Sequence, residues 1–262
     1  MIDRFEKLHP AELWFHDGLR TFEAPGSFGL EDVDMTATQK IIAQFRQQGI
    51  KCTYTHVIVR AVALVFARHP EFNRLLLRNK LVYPATVDIS LSVYTGLSIG
   101  ATPEIILNDV VRKDLAQITQ ETIELAAQVR AGGDLERLEK LRRISRVIRV
   151  GWMRRALYRM MKSRMSMIRK RIGTFHVTSV PFARQGTILK YATPAAITIA
   201  RVEDHVVVRD GQAVIRPICT LGFIVDDRLW SGVVMGTFLT EIKKILEDGE
   251  IGAELPQSEE TA

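Results

Sequence analysis

Cysteine is scarce in this chain of 262 residues: Cys52 and Cys219 lie far apart, in apolar contexts and without metal-ligand spacing. That argues against a disulfide framework and implies buried, reduced thiols in a reducing compartment. No apolar run is long enough to span a bilayer. The opening Met1-Ile2-Asp3-Arg4-Phe5-Glu6-Lys7 is charged and has no apolar centre, so it reads as neither a secretory signal nor an anchor. The expected location is cytoplasmic. Phosphate-loop and Gly-x-Gly-x-x-Gly patterns are absent. His9, His16, His56, His69 and His205 show no two-plus-one spacing, and no metal site is expected.

Acidic residues are missing altogether from Leu141 to Ile172, a window that holds 12 arginines and lysines. The net charge of +6 and the pI near 9.4 therefore come from one segment, and the remainder of the chain is net acidic. Such a local surplus does not describe a general nucleic-acid surface, and nucleic acid is not an expected partner. With 47% hydrophobic and 25% charged residues the composition is that of an ordinary globular protein. We expect a single domain over residues 1–252, with 141–172 inserted in it, and a polar acidic tail over 253–262 that frays.

Periodicity predicts alternating helices and strands. Residues 38–48 and 55–68 read as helices, the second with Val57, Ala61, Leu64 and Val65 at helical spacing and stopped by His69-Pro70. Residues 82–83 and 87–94 read as strands. In the second, Val87, Ile89, Leu91 and Val93 alternate with Asp88, Ser90 and Ser92. Residues 113–130 predict a helix closed by Gly132-Gly133. Strands are expected over 174–180, 195–202, 205–208 and 218–225, with a hairpin turn at Asp210-Gly211, and a last helix over 233–247. This is an α+β, mixed α/β plan.

Near the C-terminus stands Phe223-Ile224-Val225-Asp226-Asp227-Arg228-Leu229-Trp230-Ser231-Gly232. It resembles the closing signature of the dihydrolipoamide acyltransferases, the catalytic cores of 2-oxo-acid dehydrogenase complexes, which reads Asp-His-Arg-x-x-Asp-Gly. Asp227 occupies the histidine position and Ser231 the second aspartate position. Other fragments fall in the family's order: Val33-Asp34-Met35-Thr36, Val57 to Leu64 with Pro70-Glu71-Phe72-Asn73, Val87-Asp88-Ile89 with Gly96-Leu97, Asp114 to Ile118, and Gly173-Thr174-Phe175-His176-Val177-Thr178-Ser179. The resemblance implies the fold shared with chloramphenicol acetyltransferase and a homotrimer whose sites lie between subunits. Coenzyme A or its acyl thioester is the implied cofactor. A larger assembly is open. No lipoyl or subunit-binding segment is read in the chain, which sets the expectation of a free-standing core.

In the family's mechanism an imidazole takes the thiol proton and a serine or threonine hydroxyl donates to the oxyanion. By that resemblance Thr178 falls on the hydroxyl position and Asp227 on the base position. A carboxylate of ordinary pKa ~4 takes a proton from a thiol of ~8.5 at a cost of roughly 6 kcal/mol, against about 3 for an imidazole of ~6.5. A catalytically inactive trimer acting as a scaffold or binding module is therefore the competing reading. His176 lies two residues before Thr178 and shares its strand face, so it is a candidate replacement base or acceptor-orienting residue. Plainer alternatives are a packed histidine at 176, a β-branched strand residue at 178, and for Asp227 an ion pair with Arg228 or a neighbouring subunit's cation.

The basic segment carries Met153, Leu157, Met160, Met161, Met165, Ile168 and Ile172 at three- and four-residue steps, after a similar stripe begun by Ile144 and Ile148. It predicts an amphipathic helix. Three roles suit it: packing on its own trimer, docking of an acidic carrier domain or of coenzyme A phosphates, and peripheral contact with an anionic membrane surface aided by Trp152.

Overall fold

Strand β1 (Gly26–Asp34) passes directly into helix α1 (Thr36–Gln47) through a turn in which Asp34 Oδ1 accepts from Thr36 N at 3.0 Å and from Thr36 Oγ1 at 2.6 Å. The computed structural model describes residues 10, 13–14, 17–18, 26–77, 80–95, 102–162, 164, 172–184 and 193–254. Helix α1 buries Thr38, Ile41, Ile42 and Phe45 along one side. Helix α2 (Tyr54–Arg68) starts where Thr53 N donates to His56 Nδ1 at 3.2 Å. That bond needs an unprotonated ring nitrogen, and burial supplies it by pushing the His56 imidazole down to about 4. His69-Pro70 ends the helix as expected, in a short turn of 3-10 helix over Pro70–Phe72.

The short strands β2 (Leu75–Leu77) and β3 (Lys80–Val82) pair with each other. Then come β4 (Ile89–Ser92), β5 (Glu104–Leu107) and helix α3 (Leu115–Gln128). In α3 a capping box joins Asp114 and Gln117, with Gln117 N donating to Asp114 Oδ1 at 2.8 Å and Asp114 N to Gln117 Oε1 at 3.1 Å. Helices α4 (Asp134–Val147) and α5 (Gly151–Lys162) precede β6 (Phe175–Ser179), β7 (Ala195–Arg209), β8 (Gln212–Asp226) and the last helix, α6 (Gly232–Asp248). Six strands form one mixed sheet in the order β1-β8-β7-β6-β4-β5. Only β4–β6 and β6–β7 are parallel pairs within it.

Helices α2 and α6 cover one face of the sheet. Phe175, Val177, Ile197, Leu221 and Phe223 from the strands meet Phe66 and Phe238 from the helices there, with Trp230 from the β8–α6 turn. Phe223 and Phe238 stack with centroids 5.2 Å apart. The opposite face carries Ser90, His176, Thr178, Thr198, Gly222 and Leu30, as the pairings Ser90↔His176, Thr178↔Thr198, Thr198↔Gly222 and Leu30↔Gly222 require.

Several expectations are corrected by tertiary context. Residues 195–202 and 205–208 are one strand, β7, bent by a bulge between Ile199 and Val202. Gly132-Gly133 does not end the helical run: Gly132, at φ 123°, kinks it between α3 and α4. The basic segment is broken at residues 148–150, so its stripe is shared by two helices, and Met165 and Ile168 lie outside the described residues. The strand expected over 82–83 is β3, two residues earlier, and β1, β2 and β5 have no counterpart among the strands that periodicity predicts. The Gly96-Leu97 turn and residues 255–262 of the tail also lie outside the described residues. The hairpin at Asp210-Gly211 has φ of 51° and 77° at those positions, the pair that a tight twisted hairpin requires.

Candidate functional site

The β8–α6 turn holds the signature block, and its shape comes from Asp226. The Asp226 backbone N donates to Pro194 O at 2.7 Å, and its carbonyl accepts from Leu229 N and Trp230 N at 2.8 and 2.9 Å. Its carboxylate takes the Arg228 guanidinium from two sides, Nε to Oδ1 at 2.9 Å and Nη2 to Oδ2 at 2.5 Å. An ion pair of Asp227 with Arg228, one of the two plainer alternatives for that carboxylate, is not formed, because Arg228 pairs with Asp226. Leu229 and Trp230 plunge into the core and anchor the far side of the turn.

Ser231 is the N-cap of α6, its Oγ accepting from Val234 N at 3.4 Å. Serine and aspartate are comparable caps. The exchange at this position thus keeps the helix start while removing a charge, and the neighbouring arginine is held by Asp226 without help from position 231. Asp227 is left at the tip of the turn, exposed, with Oδ1 accepting from Ser27 N at 3.0 Å.

Strand β6 presents His176 and Thr178 to the same sheet face, as their spacing predicts, and both are buried, at 3% and 7% exposure. The start of this strand is set by Gly173. At φ 77° its backbone passes so close to β4 that a Cβ would lie 2.7 Å from the Asp88 carbonyl oxygen. Thr174 N and Phe175 N both donate to that oxygen, and Asp88 N donates to Thr174 Oγ1 at 3.0 Å. The resulting register sets Ser90 beside His176.

The His176 ring lies between two serines: Nδ1 is 2.9 Å from Ser90 Oγ and Nε2 is 3.3 Å from Ser92 Oγ. Ser90 Oγ donates to Phe175 O at 3.3 Å. In the arrangement that satisfies all three groups, Nδ1–H donates to Ser90 and Nε2 accepts from Ser92. Burial pushes the imidazole down to about 3, so the ring is neutral near pH 7. Ser90 and Ser92 were legible as one strand face, but nothing in the sequence pairs β4 with β6.

Thr178 and Asp227 are not brought together within one chain. Thr178 pairs with Thr198 and Thr198 with Gly222, so Asp227 sits five residues further along and two strands across. At ordinary strand rise and spacing the separation is about 19 Å. An open groove lies on the same sheet face towards β1, lined by Leu30, Asp32, Thr220, Glu203, His205 and Arg184. Thr220 Oγ1 donates to Asp32 there at 2.6 Å. Phe28 and Leu30 stand exposed on this face, Phe28 at 64%.

Residues 20–137 and 159–251 match the family model described as 2-oxoacid dehydrogenases acyltransferase (catalytic domain). The dihydrolipoyllysine-residue acetyltransferase component of the pyruvate dehydrogenase complex of Bacillus subtilis is 23% identical over 240 residues, covering 87% of this chain and 46% of that protein. The chain thus spans about half the length of the curated relatives it matches. Among solved structures, the Azotobacter vinelandii dihydrolipoamide acetyltransferase superposes with a TM-score of 0.71 at 19% identity, over 98% of this chain and 95% of that one. A serine, a histidine and an asparagine have been investigated in that enzyme's catalytic mechanism. A chloramphenicol acetyltransferase gives a TM-score of 0.50 at 13% identity, over 94% of this chain and 99% of that one. These likenesses show the fold.

Proposed function

Because this chain belongs to the 2-oxoacid dehydrogenase acyltransferase catalytic-domain family, we propose that it moves an acyl group between a coenzyme A thioester and a thiol, hydroxyl or amine acceptor, at a site completed by a second copy of the chain. The observation that carries this reading is the split geometry. The turn bearing Asp227 is built rigidly, yet Asp227 lies about 19 Å from Thr178 in the same chain. A neighbouring copy is the natural source of the missing half. The exposed Phe28 and Leu30, on the sheet face that carries Thr178, offer apolar surface for such a neighbour. A homotrimer, alone or within a larger assembly, closes this contact, and one domain over residues 1–252 supplies it.

In this reading the Asp227 carboxylate of one copy takes the proton from the acceptor. The acceptor attacks the thioester carbonyl, and Thr178 Oγ1 of the other copy donates to the oxyanion that forms. Collapse breaks the carbon–sulfur bond of the thioester, and the departing thiolate of coenzyme A recovers the proton from Asp227. His176, neutral and fixed between Ser90 and Ser92, serves as a positioning residue for the strand face rather than as the base. With its imidazole near 3, proton transfer from a thiol of ~8.5 costs roughly 7 kcal/mol, more than to an ordinary carboxylate. An acidic carrier domain bringing the acyl group, and a cytoplasmic setting, fit the same reading.

A second reading is a trimeric scaffold or binding module without turnover. It is favoured by the burial of His176 and Thr178. Thermal denaturation with and without acetyl-coenzyme A, paired with a transfer assay to dihydrolipoamide, separates the two. Stabilisation together with turnover lost in Thr178→Val and in Asp227→Asn supports acyl transfer. A stable trimer that neither binds nor turns over supports the scaffold.

A further inference from the structure

Helices α4 and α5 meet at a corner that the chain holds from inside. Arg154 Nε donates to Asp17 Oδ2 at 2.7 Å, while its Nη1 donates to the carbonyls of Arg149 (3.1 Å) and Ile148 (3.4 Å) just beyond the end of α4. Arg155 Nη1 donates to Asp17 Oδ1 at 2.9 Å. Tyr158 Oη donates to Trp14 O at 3.1 Å, and Trp14 Nε1 to Ser145 Oγ at 2.8 Å. One side of α5 is thereby committed to the N-terminal segment.

The other side is not. Trp152, Ala156 and Met160 recur at four-residue steps and stand exposed, Trp152 at 65%. Val147 and Val150 are exposed at the corner itself. Arg142, Arg143, Arg146 and Arg159 are exposed on the same two helices and Arg149 in the break between them, and Arg143 meets Glu139 at 3.5 Å. The family model leaves residues 138–158 unmatched, so this corner is an addition to the acyltransferase core.

We propose that the α4–α5 corner docks the protein on a membrane surface containing anionic phospholipid. Apolar side chains exposed around a helix–helix corner, Trp152 foremost, suit the boundary between headgroups and acyl chains. Arginines beside them, on a stretch of sequence with no carboxylate from 141 to 172, suit the phosphates and the negative surface potential. The pinned Arg154–Asp17 contact makes the corner preformed, so docking does not have to order it. An acidic protein would be recognised by the same charges. The exposed apolar stripe favours the lipid surface.

The test uses the full chain with vesicles of phosphatidylcholine, with and without phosphatidylserine, at low and high salt. Cosedimentation with the phosphatidylserine vesicles at low salt, reversed by high salt, is expected. Trp14 and Trp230 are buried, so a blue shift of tryptophan emission on binding reports Trp152, and Trp152→Phe removes the shift. Arg146→Gln/Arg149→Gln/Arg159→Gln lowers the partition by on the order of a hundredfold, with an unchanged thermal melt as the control for folding. No cosedimentation at low salt overturns the proposal. So does binding that leaves the emission and the triple variant unaffected, or a blue shift produced by an acidic protein such as a lipoyl domain but not by vesicles.

Discussion

Restoring an imidazole at position 227 is the sharpest test of the acyl-transfer reading. Asp227 is exposed at the tip of a turn whose backbone is held by Asp226, Leu229 and Trp230, so Asp227→His leaves those supports untouched. The bond lost is Ser27 N to Asp227 Oδ1, at an exposed strand end, and its removal costs no more than about 1 kcal/mol. On the chemical side, moving a thiol proton to an imidazole is easier than moving it to a carboxylate by roughly 3 kcal/mol, which sets a ceiling of a few hundredfold on the gain. Acetyl transfer from acetyl-coenzyme A to dihydrolipoamide, followed by thioester absorbance, is therefore expected to accelerate in Asp227→His and to vanish in Asp227→Asn. A folded Asp227→His protein of unchanged oligomeric state that is no faster than the parent refutes the assignment of position 227 to proton transfer.

The packing makes further outcomes testable. Phe238→Ala opens a hole in the aromatic cluster against Phe223, Phe66 and Trp230 and should cost about 3–5 kcal/mol in denaturant unfolding. Ser231→Ala should lose about 1 kcal/mol of stability with the α6 cap, whereas Ser231→Asp should match the parent or exceed it. Gly173→Ala demands a left-handed backbone and a Cβ against the Asp88 carbonyl, so a loss of at least about 2 kcal/mol, or insoluble protein, is expected. His176 has a folded pKa near 3 against an unfolded one near 6.5, so the unfolded chain binds the extra proton between those values and stability falls as pH drops through that window. His56, pushed to about 4, adds a slope of the same sign. His176→Gln should flatten unfolding free energy against pH by up to about 1.4 kcal/mol per unit from pH 4 to 6.

Helix positions were legible because each helix writes its own boundary chemistry. Asp114 with Gln117 opens α3, His69-Pro70 stops α2, and the apolar spacing between marks the buried side. The paired glycines misled because a glycine at positive φ can bend a helical run as well as close one, and the helical residues of α4 immediately after Gly133 make it a bend. Strand β7 shows in the sequence as two pieces because its bulge interrupts the alternation that periodicity relies on.

By itself the sequence determined the fold family, the local elements and the identity of the unusual residue at the signature position, since propensities, caps and motif order are properties of neighbours along the chain. Tertiary structure alone decided that Asp226, rather than Asp227, holds Arg228, that His176 is neutral between two serines of another strand, and that Thr178 and Asp227 stand far apart in one copy. Those facts depend on strand order and register. Strand order arises from burial of one shared sheet face, a global property that no local window of residues encodes.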